Sequence, residues 1–217
     1  MTRFRPGIAP TLVVLALLPL LVFLGFWQLG RGEQKRVLLN SYAERQVAAP
    51  VTAGQLLGVD DPAFRRVQLR GHLDGQYSLL LDNRVRDGKV GVELLQPFQD
   101  QASGQWLLLN RGWLPWPSRL TPPEFSTPEQ ILDIQAWVYE SPGTPFQLHA
   151  DPLNAPWPRL VTAVMPARLW AELGREGFAD ELRIAPGPAA YVADWPLISP
   201  GMGPEKHTAY AVQWFAM

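Results

Sequence analysis

The residues best suited to bind a ligand lie near the C-terminus, where His207 is followed by Tyr210 and Trp214. Side chains three and seven positions apart share one face of a helix, so a helix here aligns the imidazole with both rings. The preceding Gly203-Pro-Glu is typical of a helix start, because proline suits the first turn. The positive end of a helix disfavours added charge, which favours a neutral imidazole able to bind iron. His207 is therefore a candidate iron ligand, and the two rings are candidates to line the face of a planar, hydrophobic ligand.

A simpler interpretation of the same residues stays open. Histidine, tyrosine and tryptophan also gather at the boundary between water and lipid, where amphipathic rings are stable without any ligand. The other two histidines do not suggest a second ligand, since His72 is predicted to lie in a solvated turn and His149 in a proline-rich loop.

A second group of charged and aromatic residues occurs at the predicted end of a strand, in the segment Asn110-Arg-Gly-Trp-Leu-Pro115. Turn chemistry explains it without a function, with the guanidinium of Arg111 stacked on Trp113. The functional alternative is that these two side chains recognise a partner protein or an anionic group. We therefore keep Arg111 and Trp113 as candidate partner-binding residues.

Composition excludes several classes of function. The chain has no cysteine, which excludes disulfides and thiolate metal sites. The formal net charge is −1, so the chain lacks the excess of positive charge that is typical of nucleic-acid-binding proteins, and nucleic acid is not an expected partner. The sequence contains no P-loop, dinucleotide-binding, serine-hydrolase or zinc-protease motif. We expect a protein that is not an enzyme, with an envelope enzyme anchored by its N-terminus as the less favoured alternative.

The N-terminal region predicts a membrane anchor. No charged residue occurs between Arg5 and Arg31, and a helix needs about 20 apolar residues to cross the hydrocarbon of a bilayer. A cleaved signal peptide would have a shorter apolar region and a small-residue cleavage site after it. We predict a cytoplasmic tail at residues 1–7, a transmembrane helix at 8–30 and a juxtamembrane helix at 31–49, with the main domain on the external side.

Short runs of alternating apolar and polar residues fill the segment 50–203. Their spacing predicts an external, mostly antiparallel β domain, a small barrel or sandwich, with a hairpin at Asp74-Gly75. One or two short helices are expected, the clearest between Met165 and Gly174. Residues 208–217 are apolar but too short to span a bilayer. Together with the helix start before them, they predict that residues 204–217 begin a second transmembrane helix in a truncated chain. The predicted fold class is therefore a membrane-anchored α+β protein.

Four segments in this order resemble the surfeit locus protein 1 family of cytochrome c oxidase assembly factors. Each is weak alone, but together they make a strong match over residues 25–217. The segments are Gly25-Phe-Trp-Gln-Leu-Gly-Arg31 with Lys35 after it, Gly91-Val-Glu-Leu-Leu-Gln-Pro-Phe98, Asn110-Arg-Gly-Trp-Leu-Pro115, and Gly203-Pro-Glu-Lys-His-Thr-Ala-Tyr-Ala-Val-Gln-Trp-Phe215.

The resemblance implies two transmembrane helices that enclose an external domain, and a chaperone that binds haem a and delivers it to oxidase subunit I. The proposed haem ligand of the family precedes the second span, at the position of His207. The expected partners are subunit I, haem a synthase and the lipid bilayer. The short N-terminus shows no transit peptide, which favours a bacterial cytoplasmic (inner) membrane with the domain on the periplasmic side. The alternative is a scaffold that stabilises an oxidase intermediate without touching haem.

Overall fold

The computed structural model describes residues 7–118, 120–141, 151, 155–195 and 202–217. The chain divides into two compact units. The helical unit comprises Met1–Glu44 with Pro196–Met217, and the β unit comprises Arg45–Trp195.

The first element is α1 (Ile8–Val47), one continuous helix of 40 residues that includes Pro19. At 1.5 Å per residue it is about 60 Å long, roughly twice the thickness of the hydrocarbon core of a bilayer. Large apolar side chains are exposed along its first half, from Ile8 to Leu29. By length and composition α1 is able to cross a membrane, and the segments predicted as anchor and juxtamembrane helix form a single element.

The last element is α4 (Pro204–Ala216), a helix of 13 residues that begins where the sequence predicted. Gly203 is its N-cap, and the Gly203 carbonyl accepts hydrogen bonds from the backbone N–H groups of Lys206 and His207. The start of the helix is therefore confirmed, whereas a second membrane span stays a prediction.

Small residues allow α1 and α4 to approach closely within the helical unit. The buried residues of α1 are Gly25, Gln28 and Gly32, which share one helix face. A Cβ atom added at Gly25 would lie 2.3 Å from the ring of Phe215, a distance that no real side chain adopts. Glycine at these positions permits the close backbone packing that is common between membrane helices.

The β unit contains eight strands, two short helices and a 3₁₀ helix in its described residues. The strands are β1 (Val51–Thr52), β2 (Arg66–Leu73), β3 (Leu79–Arg86), β4 (Lys89–Asp100), β5 (Trp106–Pro115), β6 (Leu132–Tyr139), β7 (Arg159–Val161) and β8 (Gly177–Ile184). The helices are α2 (Ala53–Leu56) and α3 (Pro166–Leu173), and the 3₁₀ helix is Gly75–Tyr77.

Five of these strands close into a barrel in the order β2, β6, β8, β5, β4. The closing pair is β2 with β4, where Gly71 lies opposite Asp100 and Leu73 opposite Phe98. Neighbours in the ring are antiparallel except β5 and β8, which are parallel. The prediction of a small, mostly antiparallel barrel or sandwich is thus resolved as a barrel.

Apolar residues from alternate strand positions fill the barrel. Leu69, Phe98, Leu109 and Leu182 are each fully buried in its core. A second cluster forms where Leu169 and Trp170 of α3 pack against the β sheet. The predicted α3 is confirmed, and it ends at Gly174, whose φ of 62° is the left-handed conformation that glycine adopts most readily.

The predicted hairpin at Asp74-Gly75 is wrong. Strand β2 pairs with β4 and β6 and not with β3, and the Asp74 carboxylate caps the 3₁₀ helix by accepting from the Gln76 N–H at 3.2 Å. The hairpin lies instead at Asp87-Gly88, between β3 and β4, where both residues have positive φ. His72, predicted to lie in that turn, is an exposed residue of β2.

Candidate functional site in the helical unit

His207 lies in the first turn of α4, half-buried against α1. Its Nδ1 atom is 2.7 Å from Oε1 of Gln28. A Cβ atom added at Gly32 would lie 3.2 Å from the His207 Cβ, so α1 approaches the histidine at its base as well as at its ring. In the part of the chain that the structure describes, Nε2 of His207 has no hydrogen-bond partner, which leaves one ring nitrogen available for a ligand.

A groove of about 500 Å³ opens between α1 and α4 beside the histidine. It is apolar at Phe26 and Leu29 and charged at Arg36, while Pro204 and Thr208 of α4 form its other wall. Arg36 is paired with Glu33 at 2.6 Å, with both side chains largely exposed. The groove therefore has an apolar wall and an exposed Arg36–Glu33 ion pair. His207 does not line it, whereas Thr208, the next residue of α4, does.

Tyr210 and Trp214 follow His207 on α4 at the predicted spacings of three and seven residues. Tyr210 is 44% exposed, and Trp214 is half-buried. The indole Nε1 of Trp214 is buried and has no hydrogen-bond partner among the described residues. The two rings thus follow His207 by one and two turns of α4, one at the surface and one with an unused donor, and their role in binding a ligand stays a prediction.

Arg111 and Trp113 lie inside β5, and not at the end of a strand as predicted. Arg111 is 2% exposed, and its guanidinium donates to the carbonyls of Ala189 and Ser126 and to Oε1 of Gln96, each within 2.8 Å. Burial lowers the pKa of Arg111 below its ordinary value.

Trp113 is 8% exposed and donates its indole N–H to the Arg84 carbonyl at 2.9 Å. Trp113 and Arg111 therefore form part of the buried, hydrogen-bonded interior of the β unit. Both side chains are buried, and the Arg111 guanidinium lies over the ring of Tyr191, at 5.0 Å, where a stack on Trp113 was expected. A role of these two residues in partner binding stays a prediction.

A polar cluster in the β unit was missed by the sequence analysis. The buried Glu181 carboxylate accepts hydrogen bonds from Asn110 at 2.9 Å and from Arg183 at 3.2 Å, and Asn110 also donates to Glu93 at 2.8 Å. Burial raises the pKa of Glu181, and it also raises the pKa of the neighbouring Asp180. The sequence gives little signal for it, since Glu181 and Arg183 alternate with the apolar Leu182 and Ile184 in β8.

A cleft of about 580 Å³ opens beside this cluster, lined in part by Arg84, Asp180 and Glu181. Convergent titratable groups in a pocket would favour the alternative of an anchored enzyme. The cleft is also lined by Ser141 and Thr162, but the Thr162 hydroxyl already donates to Asp151 at 2.9 Å.

Comparison with known proteins decides the family. The model of the SURF1 family matches residues 15–217, which is nearly the whole chain. The chain belongs to the SURF1 family. The identification made from four sequence segments is thereby confirmed.

Curated SURF1 relatives match the chain over part of its length. A SURF1-like protein of Dictyostelium discoideum is 35% identical over 107 residues, which are 44% of this chain and 39% of that protein. One of Rickettsia bellii is 30% identical over 104 residues, 47% of this chain and 42% of the relative. The cytochrome oxidase assembly protein SHY1 of Saccharomyces cerevisiae is 28% identical over 95 residues, 42% of this chain and 24% of SHY1. The aligned regions thus span less than half of each relative.

Gln28 is the residue of the helical unit that sequence analysis of this SURF1 chain overlooked. It lies within the first of the four matching segments, but nothing in that segment indicates a contact with a residue near the opposite end of the chain. A signal was present, since an amide in an apolar, membrane-spanning sequence is costly unless it has a partner. The structure supplies that partner in His207.

Proposed function

We propose that this SURF1-family protein is a membrane-anchored assembly factor for cytochrome oxidase, which binds haem a at the membrane surface and passes it to subunit I. Family membership and the assembly role named for the yeast relative support the oxidase as the target. The observation that carries the proposal is the half-buried His207, held against α1 with its Nε2 atom without a hydrogen-bond partner in the described residues.

The chemistry of the groove suits haem a as cargo. An imidazole nitrogen binds haem iron, and the apolar wall at Phe26 and Leu29 suits the ring and its long hydrocarbon tail. The haem propionates need cationic or aqueous surroundings, and the end of the groove at Arg36, which is paired with Glu33, is largely exposed to water. Tyr210 and Trp214 would line the haem face. A single histidine ligand suits a carrier, because cargo that is held by one bond is released to the next site.

The apolar first half of α1 supports membrane attachment, since its exposed side chains require a lipid environment. In the proposed arrangement the N-terminus is cytoplasmic, α4 begins a second span, and the β unit is on the periplasmic side of a bacterial inner membrane. Haem a synthase would be the donor of the cargo. The protein carries out no chemical step on it.

A haem titration of matched variants tests the proposal. The full-length protein in detergent is titrated with haem a, and binding is followed by the shift of the Soret absorption. His207→Ala is expected to remove the histidine-bound spectrum and weaken affinity by at least about 10-fold. His72→Ala, the same change at an exposed position of β2, is expected to leave both unchanged. Identical spectra and affinity for the parent and His207→Ala would overturn the assignment. Co-purification of subunit I with a parent that binds no haem would favour the scaffold instead.

A further inference from the structure

The inference concerns the one buried polar residue in the membrane-spanning part of α1 that the structure describes. Gln28 is 9% exposed, and it lies between Gly25 and Gly32 on the face of α1 that packs against α4. Burial of an amide in an apolar environment without a hydrogen bond is unfavourable, because the amide loses its hydrogen bonds to water. The contact between its Oε1 and the His207 Nδ1, at 2.7 Å, compensates this cost.

The contact has a consequence for the chemistry of the histidine ring. A carbonyl oxygen accepts hydrogen bonds and cannot donate them, so the nitrogen facing Oε1 must carry the proton. In a neutral imidazole one nitrogen is protonated and the other has a free lone pair. Donation from Nδ1 to Gln28 therefore leaves the lone pair on Nε2. Free histidine in water favours the opposite tautomer, with the proton on Nε2, where it would block coordination.

The backbone around the ring restricts the alternatives. The His207 Cβ and the Pro204 carbonyl lie 3.2 Å and 3.4 Å from the position of a Cβ at Gly32, so the histidine backbone is close against α1. With its Cβ held there and its Nδ1 hydrogen-bonded to Gln28, the His207 ring has little freedom to rotate. Nε2 then points away from its amide partner, at the opposite side of the ring. Histidines that bind metals commonly have this second hydrogen bond, which fixes the tautomer and raises the basicity of the ligand.

We propose that Gln28 is a positioning residue, which holds His207 as the Nδ1–H tautomer and so presents Nε2 to the iron of the cargo. The role of Nε2 as an iron ligand rests on the proposed function. The tautomer itself does not, because it is a property of the protein before any haem binds.

The first test measures the tautomer directly in the haem-free protein. Full-length protein labelled with ¹⁵N-histidine is studied by NMR at a pH where the imidazoles are neutral, and the His207 signals are assigned by their loss in His207→Ala. The parent is expected to show a protonated Nδ1 and an unprotonated Nε2. Gln28→Leu keeps the size of the side chain but removes the acceptor, so the proton is expected to move to Nε2. Gln28→Glu keeps an acceptor and is expected to retain the parent pattern. Gln34→Leu, the same change at an exposed position of α1, is the control.

The second test uses haem a with the same four proteins. Gln28→Leu is expected to weaken binding by about 10-fold, while Gln28→Glu and Gln34→Leu retain the affinity of the parent. A parent that has its proton on Nε2, or a Gln28→Leu variant with unchanged tautomer and affinity, overturns the inference. If Gln28→Leu does not fold, the parent and Gln28→Glu spectra still decide the tautomer. If the tautomer is as expected but His207→Ala binds haem a like the parent, the proposed function fails and the assignment of Gln28 to the tautomer stands.

Discussion

Glu181 has a carboxyl that is 7% exposed, between Asn110 and Arg183. Burial raises its pKa above the ordinary value of 4.5. A raised pKa does not leave Arg183 without a partner, because the guanidinium also lies over the ring of Tyr139, at 3.4 Å, and over that of Trp195, at 4.7 Å. Aromatic faces stabilise a buried cation when its carboxyl neighbour is neutral.

The raised pKa of Glu181 predicts how stability changes with pH. Above pH 4.5 the unfolded chain loses this proton first, so the folded state binds more protons and its stability falls as the pH rises toward the folded pKa. Glu181→Gln removes the titration and is expected to flatten this decline, measured as the free energy of unfolding in urea from about pH 4.5 to 7.

Glu172→Gln is the matched control. The Arg159 guanidinium, with two contacts of 2.8 Å, lowers the pKa of Glu172, so its stabilisation is present above pH 4.5 and is lost as the pH falls. Glu172→Gln is expected to have a free energy of unfolding that is about 2 kcal/mol lower than that of the parent at neutral pH. It is expected to flatten the pH dependence of stability only on the acid side. Equal pH profiles for Glu181→Gln and the parent would contradict the prediction.

At the residue scale, the sequence indicated which side chains could bind a ligand, but it did not indicate which other residues those side chains contact. His207 was recognisable because a helix start and two aromatic residues flank it, which are local features. Arg111 was misjudged since nothing local shows that its acceptors, at Ala189, Ser126 and Gln96, come from distant parts of the chain. Gln28 was missed for the same reason. Side chains whose partners are far away in sequence need the fold before their roles can be assigned.

At the scale of elements, glycine residues of α1 determine how closely α1 packs against α4. A Cβ at Gly32 would meet the Cβ of His207 and the Pro204 carbonyl, which are close to the α4 backbone, whereas at Gly30 it would meet nothing within 4 Å. Gly32→Leu is therefore expected to displace α4, and Gly30→Leu is expected to be tolerated. Both changes raise helix propensity equally, so a difference between them reports packing alone.

The chain has no cysteine, which makes cross-linking a clean measurement of this packing. Phe26 and Phe215 have ring centroids 5.3 Å apart, so cysteines introduced at these two positions are expected to react with a short bismaleimide. Gly32→Leu should lower the yield several-fold, and Gly30→Leu should leave it unchanged. A yield that is the same in both variants would show that Gly32 does not set the distance between the helices.

At the scale of elements, sequence patterns located most strands but could not determine how they pair. The alternation in β4 and β6 and the glycine stop of α3 are local features, and α3 lies close to its predicted position. Barrel closure depends on β2 with β4 and on the parallel pair of β5 and β8, whose strands are far apart in the chain. The sequence contains two Asp-Gly pairs, at residues 74–75 and 87–88, and the strand register shows that the second one forms the hairpin turn.

At the scale of the whole molecule, the β unit contains its own hydrophobic core and a closed barrel. The three apolar clusters of the chain's described residues consist entirely of residues between Val51 and Trp195, and the barrel closes within the same range. The exposed apolar surface of α1 lies in the other unit. The stability of the β unit is therefore expected to depend on its own core and not on lipid.

We expect a fragment comprising Arg45–Trp195 to fold without detergent and to unfold cooperatively, measured by circular dichroism and tryptophan fluorescence in urea. Leu109→Ala creates a cavity at a fully buried position of β5 and should lower the free energy of unfolding by about 2–5 kcal/mol. Val85→Ala, at a position of β3 that is 67% exposed, should change it by less than about 0.5 kcal/mol. A fragment that is soluble only in detergent, or that unfolds without a cooperative transition, would mean that the barrel depends on the helical unit. Haem binding and oxidase assembly could then not be assigned to separate units by deletion, and point variants such as those at His207 and Gln28 would be the only way to separate them.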